Sequence, residues 1–376
     1  MSDATTKTNA TTEWAICDEV IRLREWGTER IHRLPTSLIE AVLIGSSQEC
    51  SLRLDDPHVS RKHAKLTFER GKWLIRDLGS TNGLRQDNTR RNEFTLDPGI
   101  EVSLGNTTLI AESKRSIELR NFCARILGWA SHRAALVDQA VRALRLAATC
   151  RTALVLQGES DPVPIAQALH RRVLGADRPF ILADPRRNTI RASVRSTANH
   201  KEGLPALASA AGGSLCVRSQ RLPSDFPSLL DQLREPEARA QLFICSDGSG
   251  NNHALLPAPI VVPPLCERAA ELSRIIEEYV RDAVAALGAP AGELSAADYE
   301  WIRAHATTLP EIEKAASRLV ALRISCSASH AADRLGMAQV SLSRWLRRRL
   351  FSPIDRRPER PRPHRHTQLR PRAKRT

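Results

Sequence analysis

The sequence predicts a multidomain protein: an N-terminal all-β sandwich, a central α/β domain with a helical lid, and a C-terminal all-α helix pair. In the N-terminal part apolar and polar residues alternate, with turn residues about every 8 to 12 positions, which is typical of a sandwich. Helical stretches then alternate with short apolar runs, which favours a parallel α/β layer. The expected boundaries are 13–112 for the sandwich, 116–270 for the α/β domain, 271–323 for the lid, 324–350 for the helix pair and 351–376 for a disordered basic tail.

Length and composition favour a globular protein of the cytoplasm. The 376 residues exceed what one ordinary core holds, and 41% of them are hydrophobic. No apolar run approaches the roughly 18 residues of a membrane span, and the first residues, 1–12, lack an apolar export signal. The eight cysteines form no C-x-x-C pair, so we expect neither a zinc site nor a disulfide framework, and no cofactor.

Positive charge is concentrated at the C-terminal end. The formal net charge is +14, and Arg356–Thr376 holds eight Arg and one Lys against the single acid Glu359. A basic tail beside a candidate DNA-binding helix indicates contact with nucleic acid. A solvated tail without a ligand is the alternative.

Three loop signatures follow one another in the N-terminal part. They are a turn at Gly45, the run Ser60-Arg61-Lys62-His63, and the run Ser80-Thr81-Asn82-Gly83. Predicted strands at 64–68 and 72–75 lie between them. In this order the motifs closely resemble a forkhead-associated (FHA) domain, a β-sandwich that binds phosphothreonine peptides.

The resemblance implies a role for each loop residue. Ser60 would donate its hydroxyl to the phosphate, Asn82 would hold the peptide backbone, and Thr81 would line the same loop. His63 would brace the loop from within. Gly83 suits the tight turn because glycine accepts a positive φ at little cost.

One position departs from the family pattern. The family has Gly-Arg at the first loop, whereas this chain has Gly45-Ser46. Losing one charge-assisted bond costs about 1.5–3 kcal/mol, or roughly tenfold to a hundredfold in affinity. Arg53, Arg61 or Lys62 are candidates to replace the phosphate contact of the missing arginine. The alternative is a domain that contacts proteins without depending on phosphate. The predicted phosphopeptide-binding residues are Ser46, Ser60, Arg61, Thr81 and Asn82.

The middle part resembles the AAA+ module of bacterial enhancer-binding proteins, the activators of sigma-54 RNA polymerase. The matching stretches are 153–160, 177–180, 211–215 and 262–268. The resemblance implies an ATPase, but the residues that bind the nucleotide phosphates and Mg²⁺ in this family are missing. Pro164 stands where the phosphate-binding Lys is expected, Arg218-Ser219 replace the Mg²⁺-binding acids, and Pro310 replaces the lid arginine. The loop that touches the sigma factor is also absent, since only about 26 residues separate Asp184 from Ala211.

These losses predict a protein without ATP hydrolysis and without enzymatic activity. A scaffold role in oligomerisation, a spacer, and an α/β domain with no ligand all stay open for this part.

Residues 326–349 resemble the Fis-type helix-turn-helix that ends many enhancer-binding proteins. The first helix is expected from Ala328 to Leu335, and Gly336 provides the turn. The second is expected from Ala338 to Arg348, with Val340, Leu342 and Leu346 facing inward. The predicted DNA-binding residues are Gln339, Ser341, Ser343, Arg344 and Arg347 on base edges and Arg348 on phosphate.

The preceding helix, 310–323, is either a dimer interface, as in this family, or the closing element of the lid core. A dimer would place two reading helices about 34 Å apart on a palindromic site.

The leading hypothesis is a bacterial transcriptional regulator, a homodimer or higher oligomer, that binds DNA and a phosphothreonine-containing protein or Ser/Thr kinase. The alternatives are an FHA adaptor in kinase signalling with vestigial DNA binding, and an active ATPase activator.

Overall fold

The computed structural model describes residues 18–35, 41–150, 152–175, 177–188, 197–235, 237–248, 257–290 and 294–348. The predicted basic tail, 351–376, lies outside these residues. Within the described ranges, none of the helices combines the length and the apolar character that a membrane crossing requires.

The N-terminal strands form two β-sheets that share one apolar core. One sheet has the order β2-β1-β11-β10-β7-β8 and the other the order β4-β3-β5-β6-β9, and the β3–β4 pair alone among these described pairs is parallel. Fully buried Leu23, Ile44, Leu66, Ile75 and Val102 fill the core between the sheets, which confirms the predicted sandwich. The strands are β1 Val20–Glu25, β2 Ile31–Arg33, β3 Val42–Gly45, β4 Leu52–Arg53, β5 Ala64–Glu69, β6 Lys72–Asp77, β7 Leu84–Gln86, β8 Thr89–Arg91, β9 Glu93–Thr95, β10 Glu101–Leu104 and β11 Thr107–Ser113.

The sandwich continues into the helical part without a linker. Strand β11 ends at Ser113, and helix α1, Lys114–Leu127, begins at the next residue. Ser113 caps this helix, because its hydroxyl accepts from the Ser116 N–H while the Ser116 hydroxyl accepts from the Ser113 N–H. Gly128, at φ +123°, follows the end of α1, and a second helix, α2, spans Ala134–Cys150.

A six-stranded parallel sheet forms the middle of the chain, as the alternation of helices and apolar runs predicts. Its order is β14-β13-β15-β16-β12-β17, so β12 lies between β16 and β17. Helices cover both faces, which accounts for the almost wholly buried strands. The elements are β12 Leu154–Gln157, α3 Val163–Leu174, β13 Phe180–Ala183, β14 Ala198–His200, α4 Gly203–Ser209, β15 Ser214–Arg218, α5 Phe226–Leu233, β16 Gln241–Ser246 and β17 Ile260–Val261.

The last five helices share one core with the sheet. Buried Ile276 of α6, Leu319 of α8, Ala331 of α9 and Leu342 of α10 belong to the same apolar cluster as Phe243 of β16. The C-terminal helix pair is therefore packed onto the lid rather than tethered beside it. These helices are α6 Leu272–Leu287, α7 Ala296–His305, α8 Leu309–Ile324, α9 Ala328–Arg334 and α10 Gln339–Arg348.

Helix α8 closes this core. Its apolar residues Ile312, Ala316, Leu319 and Val320 are fully buried within the chain. This burial agrees with the interpretation of residues 310–323 as the closing element of the lid core.

Candidate functional site

Three loops of the sandwich meet at one end. The Ser46 N–H donates to the Ser60 carbonyl over 3.1 Å. The Thr81 N–H donates to the Ser60 hydroxyl oxygen over 3.1 Å, and the Asn82 amide donates to the His58 carbonyl over 2.8 Å. These bonds bring four of the predicted residues, Ser46, Ser60, Thr81 and Asn82, onto one surface.

His63 braces two of the loops from inside. Its side chain is fully buried. Its Nδ1 atom accepts from the Ser60 N–H over 3.1 Å, and its Nε2 atom lies 3.2 Å from the Gly83 carbonyl oxygen. Because Nδ1 accepts, the ring hydrogen is on Nε2 and is donated to Gly83. The neutral imidazole thus fixes the spacing between the Ser60 and Asn82 loops.

The last residue of β3, Gly45, has no room for a side chain. A Cβ atom on Gly45 would lie 2.2 Å from the carbonyl oxygen of Arg61. Only a residue without a side chain allows the two loops to approach this closely.

Ser46 occupies the position where the family pattern has arginine. Its hydroxyl donates to the Val59 carbonyl over 3.0 Å, so its single hydrogen already has an acceptor. The side chain stabilises the loop but brings no charge to the surface. Ser46 is therefore near the other predicted residues without serving as a free donor.

Two cations follow Ser60, and they differ in their partners. The Lys62 ammonium lies 2.9 Å from the Glu49 carboxylate, and this hydrogen bond raises the pKa of Lys62. Arg61 is exposed, and its side chain forms no hydrogen bond or ion pair with the residues that the structure describes. Arg61 is thus the better placed of the two to meet an anionic ligand. Arg53, exposed on β4, is a further cation of this sheet.

A comparison with protein families decides what this end of the sandwich is. The family model described as the FHA domain matches residues 42–105, which include all three loops. Residues 42–105 form an FHA domain.

Curated proteins are similar to part of this chain. FhaB of Mycobacterium tuberculosis is 35% identical over 81 residues, covering 22% of this chain and 48% of FhaB. The oxoglutarate dehydrogenase inhibitor of Corynebacterium glutamicum is 33% identical over 66 residues, covering 18% of this chain and 46% of the inhibitor. The chain thus spans about half the length of these relatives.

Solved structures of FHA domains are also similar to part of this chain. One, from work on phosphothreonine-dependent FHA domain interactions, is 30% identical with a TM-score of 0.23, covering 24% of this chain and 94% of that chain. The FhaA FHA domain in complex with an intracellular domain is 31% identical with a TM-score of 0.22, covering 24% of this chain and 96% of that chain.

Asp56 is a supporting residue of the FHA domain that the motif reading missed. Its carboxylate accepts from the N–H groups of His58, at 2.9 Å, and Asn106, at 2.7 Å, and from the Thr107 hydroxyl at 3.0 Å. Burial opposes ionisation, but these donors outweigh it, and the pKa of Asp56 is lowered. Asp56 thereby holds the segment whose His58 carbonyl receives the Asn82 amide. The run Asp-Asp-Pro-His, typical of a turn, is the signal that could have identified it.

At the carboxyl edge of the parallel sheet, an arginine occupies the place expected for Mg²⁺-binding acids. Arg218 ends β15 and donates to Asp161 over 2.7 Å and to the buried Asp184 over 2.9 Å. Burial disfavours its charge, but the hydrogen bond with Asp161 outweighs that effect and raises the pKa of Arg218. Pro164 lies in the first turn of α3. Because proline has no backbone N–H and no charge, this position offers a phosphate neither a donor nor a cation. A cavity of about 290 Å³ beside these residues is lined by both signs of charge.

The C-terminal helix pair has the predicted turn. Gly336 adopts φ +61° between α9 and α10. The Ser327 hydroxyl accepts from the His330 N–H over 3.2 Å and so caps α9. Five of the predicted DNA-binding residues are exposed on α10 and Ser343 is half-buried; the exposed ones are Gln339, Ser341, Arg344, Arg347 and Arg348.

The inward face of α10 differs from the prediction at one residue. Val340 is expected inward but is 66% exposed, whereas Trp345 is buried. The residues of α10 that face the core are Leu342, Trp345 and Leu346, which form one stripe along the helix. Val340 lies about 200° around the helix from Leu342 and so faces away from the core. Trp345 packs edge-on against Trp301, with 5.2 Å between ring centroids.

Proposed function

We propose that this chain is a DNA-binding transcriptional regulator of the bacterial cytoplasm that takes a phosphothreonine or protein-partner signal through its FHA domain and does not hydrolyse ATP. The observation that carries the proposal is the exposed cationic face of α10. Arg344, Arg347 and Arg348 are exposed there, and the helix contains no acidic residue. A helix of this kind fits the major groove, where arginine bonds guanine edges and phosphates.

The FHA domain is the proposed input. A phosphothreonine brings about two negative charges and three acceptor oxygens. Ser60 and Arg61 supply a hydroxyl and a free guanidinium beside one another, and Asn82 lies on the facing loop. The partner would be a phosphothreonine-containing protein or a Ser/Thr kinase.

The middle domain is proposed as a degenerate AAA+-like scaffold. Its strand–loop–helix order over 154–174 is the arrangement of a phosphate-binding loop, which supports that kinship. The Arg218 ion pairs with Asp161 and Asp184 fill the position of the metal site with a cation, and this favours a domain without nucleotide chemistry.

Paired arginine variants test the reading helix. Arg344→Ala combined with Arg347→Ala should weaken binding of duplex DNA at least about tenfold, because each base contact is worth about 1–3 kcal/mol. Arg30→Ala combined with Arg234→Ala removes the same charge from exposed positions elsewhere and serves as the matched control. Equal DNA affinity of both double variants would exclude α10 as the reading helix.

An FHA adaptor in Ser/Thr kinase signalling is the second candidate. The family match, which lies wholly in the FHA domain, favours it. It predicts capture of phosphothreonine peptides that Ser60→Ala abolishes and that Ser51→Ala, at a nearby exposed serine, preserves. It also predicts that DNA is retained without sequence preference.

A further inference from the structure

Val340 is the most exposed large hydrophobic residue in the described part of the chain, at 66%. Single exposed apolar side chains are common on protein surfaces, so exposure alone assigns no role. The position of Val340 is what distinguishes it. It lies in the first turn of α10, the end of a reading helix that contacts base edges in helix-turn-helix proteins.

The neighbours of Val340 form a surface suited to DNA. Arg344 and Arg347 follow at four and seven residues, so the three side chains share one face of the helix. The rise of an α-helix places Val340 about 6 Å along the axis from Arg344. Leu342 and Leu346, on the opposite side, anchor the helix in the core. The negative charge of the DNA duplex complements this cationic face of α10. Val340 is the apolar residue of the same face.

One feature of the major groove matches an apolar side chain. Thymine alone among the four bases presents a C5-methyl group there. A valine pressed against that methyl group removes apolar surface from water on both partners. Gln339, next in the chain and also exposed, can pair with the N6 and N7 atoms of adenine. The first turn of α10 thus combines side chains for both members of an A·T pair.

We propose that Val340 is a specificity-determining residue that contacts the methyl group of a thymine in the DNA site. This inference rests on the proposed function and adds to it the base that the first turn of α10 selects. It assigns an A·T-containing sequence to the part of the site under that turn.

The test uses the purified chain and the DNA fragment that it retains most strongly, synthesised once with thymine and once with uracil, which lacks the methyl group. The wild-type chain should bind the thymine duplex about fourfold more tightly, the value of one buried methyl group. Val340→Ala should bind both duplexes alike, at the affinity of wild type for the uracil duplex. Any change in duplex shape caused by uracil affects both proteins equally and cancels in this comparison.

Other outcomes contradict the inference in distinguishable ways. Equal binding of both duplexes by the wild-type chain overturns the role of Val340 and leaves DNA binding intact. An undiminished thymine preference in Val340→Ala overturns it as well, since another residue then reads the methyl group. Failure of the chain to retain any DNA fragment in the initial selection overturns the proposed function together with this inference. Val340 contributes nothing to the core, so the alanine variant keeps the fold.

Discussion

Arg24 of strand β1 and Asp138 of helix α2 form a buried two-point ion pair, with nitrogen–oxygen distances of 2.6 and 3.0 Å. The side chains are 1% and 0% exposed. Asp138 also accepts from the Arg120 guanidinium and from the Gly27 N–H. The β-sandwich is thus fixed to the helical part by charge as well as by the direct β11–α1 connection, and the two parts are expected to move as one body.

Removing the shared carboxylate should be costly. Asp138→Ala removes the carboxylate that Arg24 and Arg120 share and leaves each arginine with one other carboxylate, Glu112 and Glu29 respectively. We therefore expect a loss of about 1.5–3 kcal/mol in the free energy of unfolding, the value of hydrogen bonds to charged groups. Denaturant unfolding measures it. Asp231→Ala, which breaks an ion pair with both side chains about three-quarters exposed, should cost less than about 1 kcal/mol. A loss in Asp138→Ala no larger than in this control would refute the coupling.

Restoring the family arginine should strengthen the phosphate site. Ser46→Arg adds a guanidinium beside Ser60 and gives up the bond to the Val59 carbonyl, so we expect affinity for a phosphothreonine peptide to rise roughly tenfold. Calorimetric titration measures it. Gln48→Arg adds the same charge at an exposed position of the same loop and should change affinity little. An equal gain from both variants would show a general charge effect.

The support from Asp56 should depend on pH. Its pKa is lower in the folded chain than its ordinary value of 3.8. The stability it provides is therefore complete above that value and is lost as the pH falls through the lower, folded pKa. The difference in unfolding free energy between wild type and Asp56→Asn should be constant near neutral pH and shrink below about pH 4. A difference that does not change between pH 7 and pH 3 would show that Asp56 acts by packing alone.

Nucleotide should leave the stability of the chain unchanged. Arg218 already holds Asp161 and Asp184, and Pro164 provides no donor to a phosphate. Thermal unfolding with millimolar Mg²⁺ and ATP should match that with Mg²⁺ alone, because only a bound ligand raises the midpoint. A rise that depends on both ATP and Mg²⁺ would restore the ATPase hypothesis.

Local patterns predicted much of the FHA domain. The strands expected at 64–68 and 72–75 correspond to β5 and β6, and the three loop motifs converge as their order implies. Gly336 has the expected positive φ because a tight turn between two helices leaves few alternatives.

Contacts between distant residues could not be predicted in this way. Arg24 and Asp138 are 114 positions apart, and nothing in either local sequence indicates the other. An inward Val340 is the natural prediction because valine is apolar. The packing of Trp345 against Trp301 instead fixes which face of α10 turns inward. Asp56 was overlooked since its partners Asn106 and Thr107 lie on a later loop.

The most direct test of the proposed regulator is binding of the purified chain to genomic DNA fragments at near-physiological salt, followed by sequencing of the retained DNA. The retained fragments should share a motif, and retention of that motif should be lost in the Arg344→Ala and Arg347→Ala double variant. Affinity should also fall by about 0.9 log unit per log unit of salt for each phosphate neutralised. Retention without any motif, unchanged in the double variant, would contradict the proposed regulator and favour the adaptor.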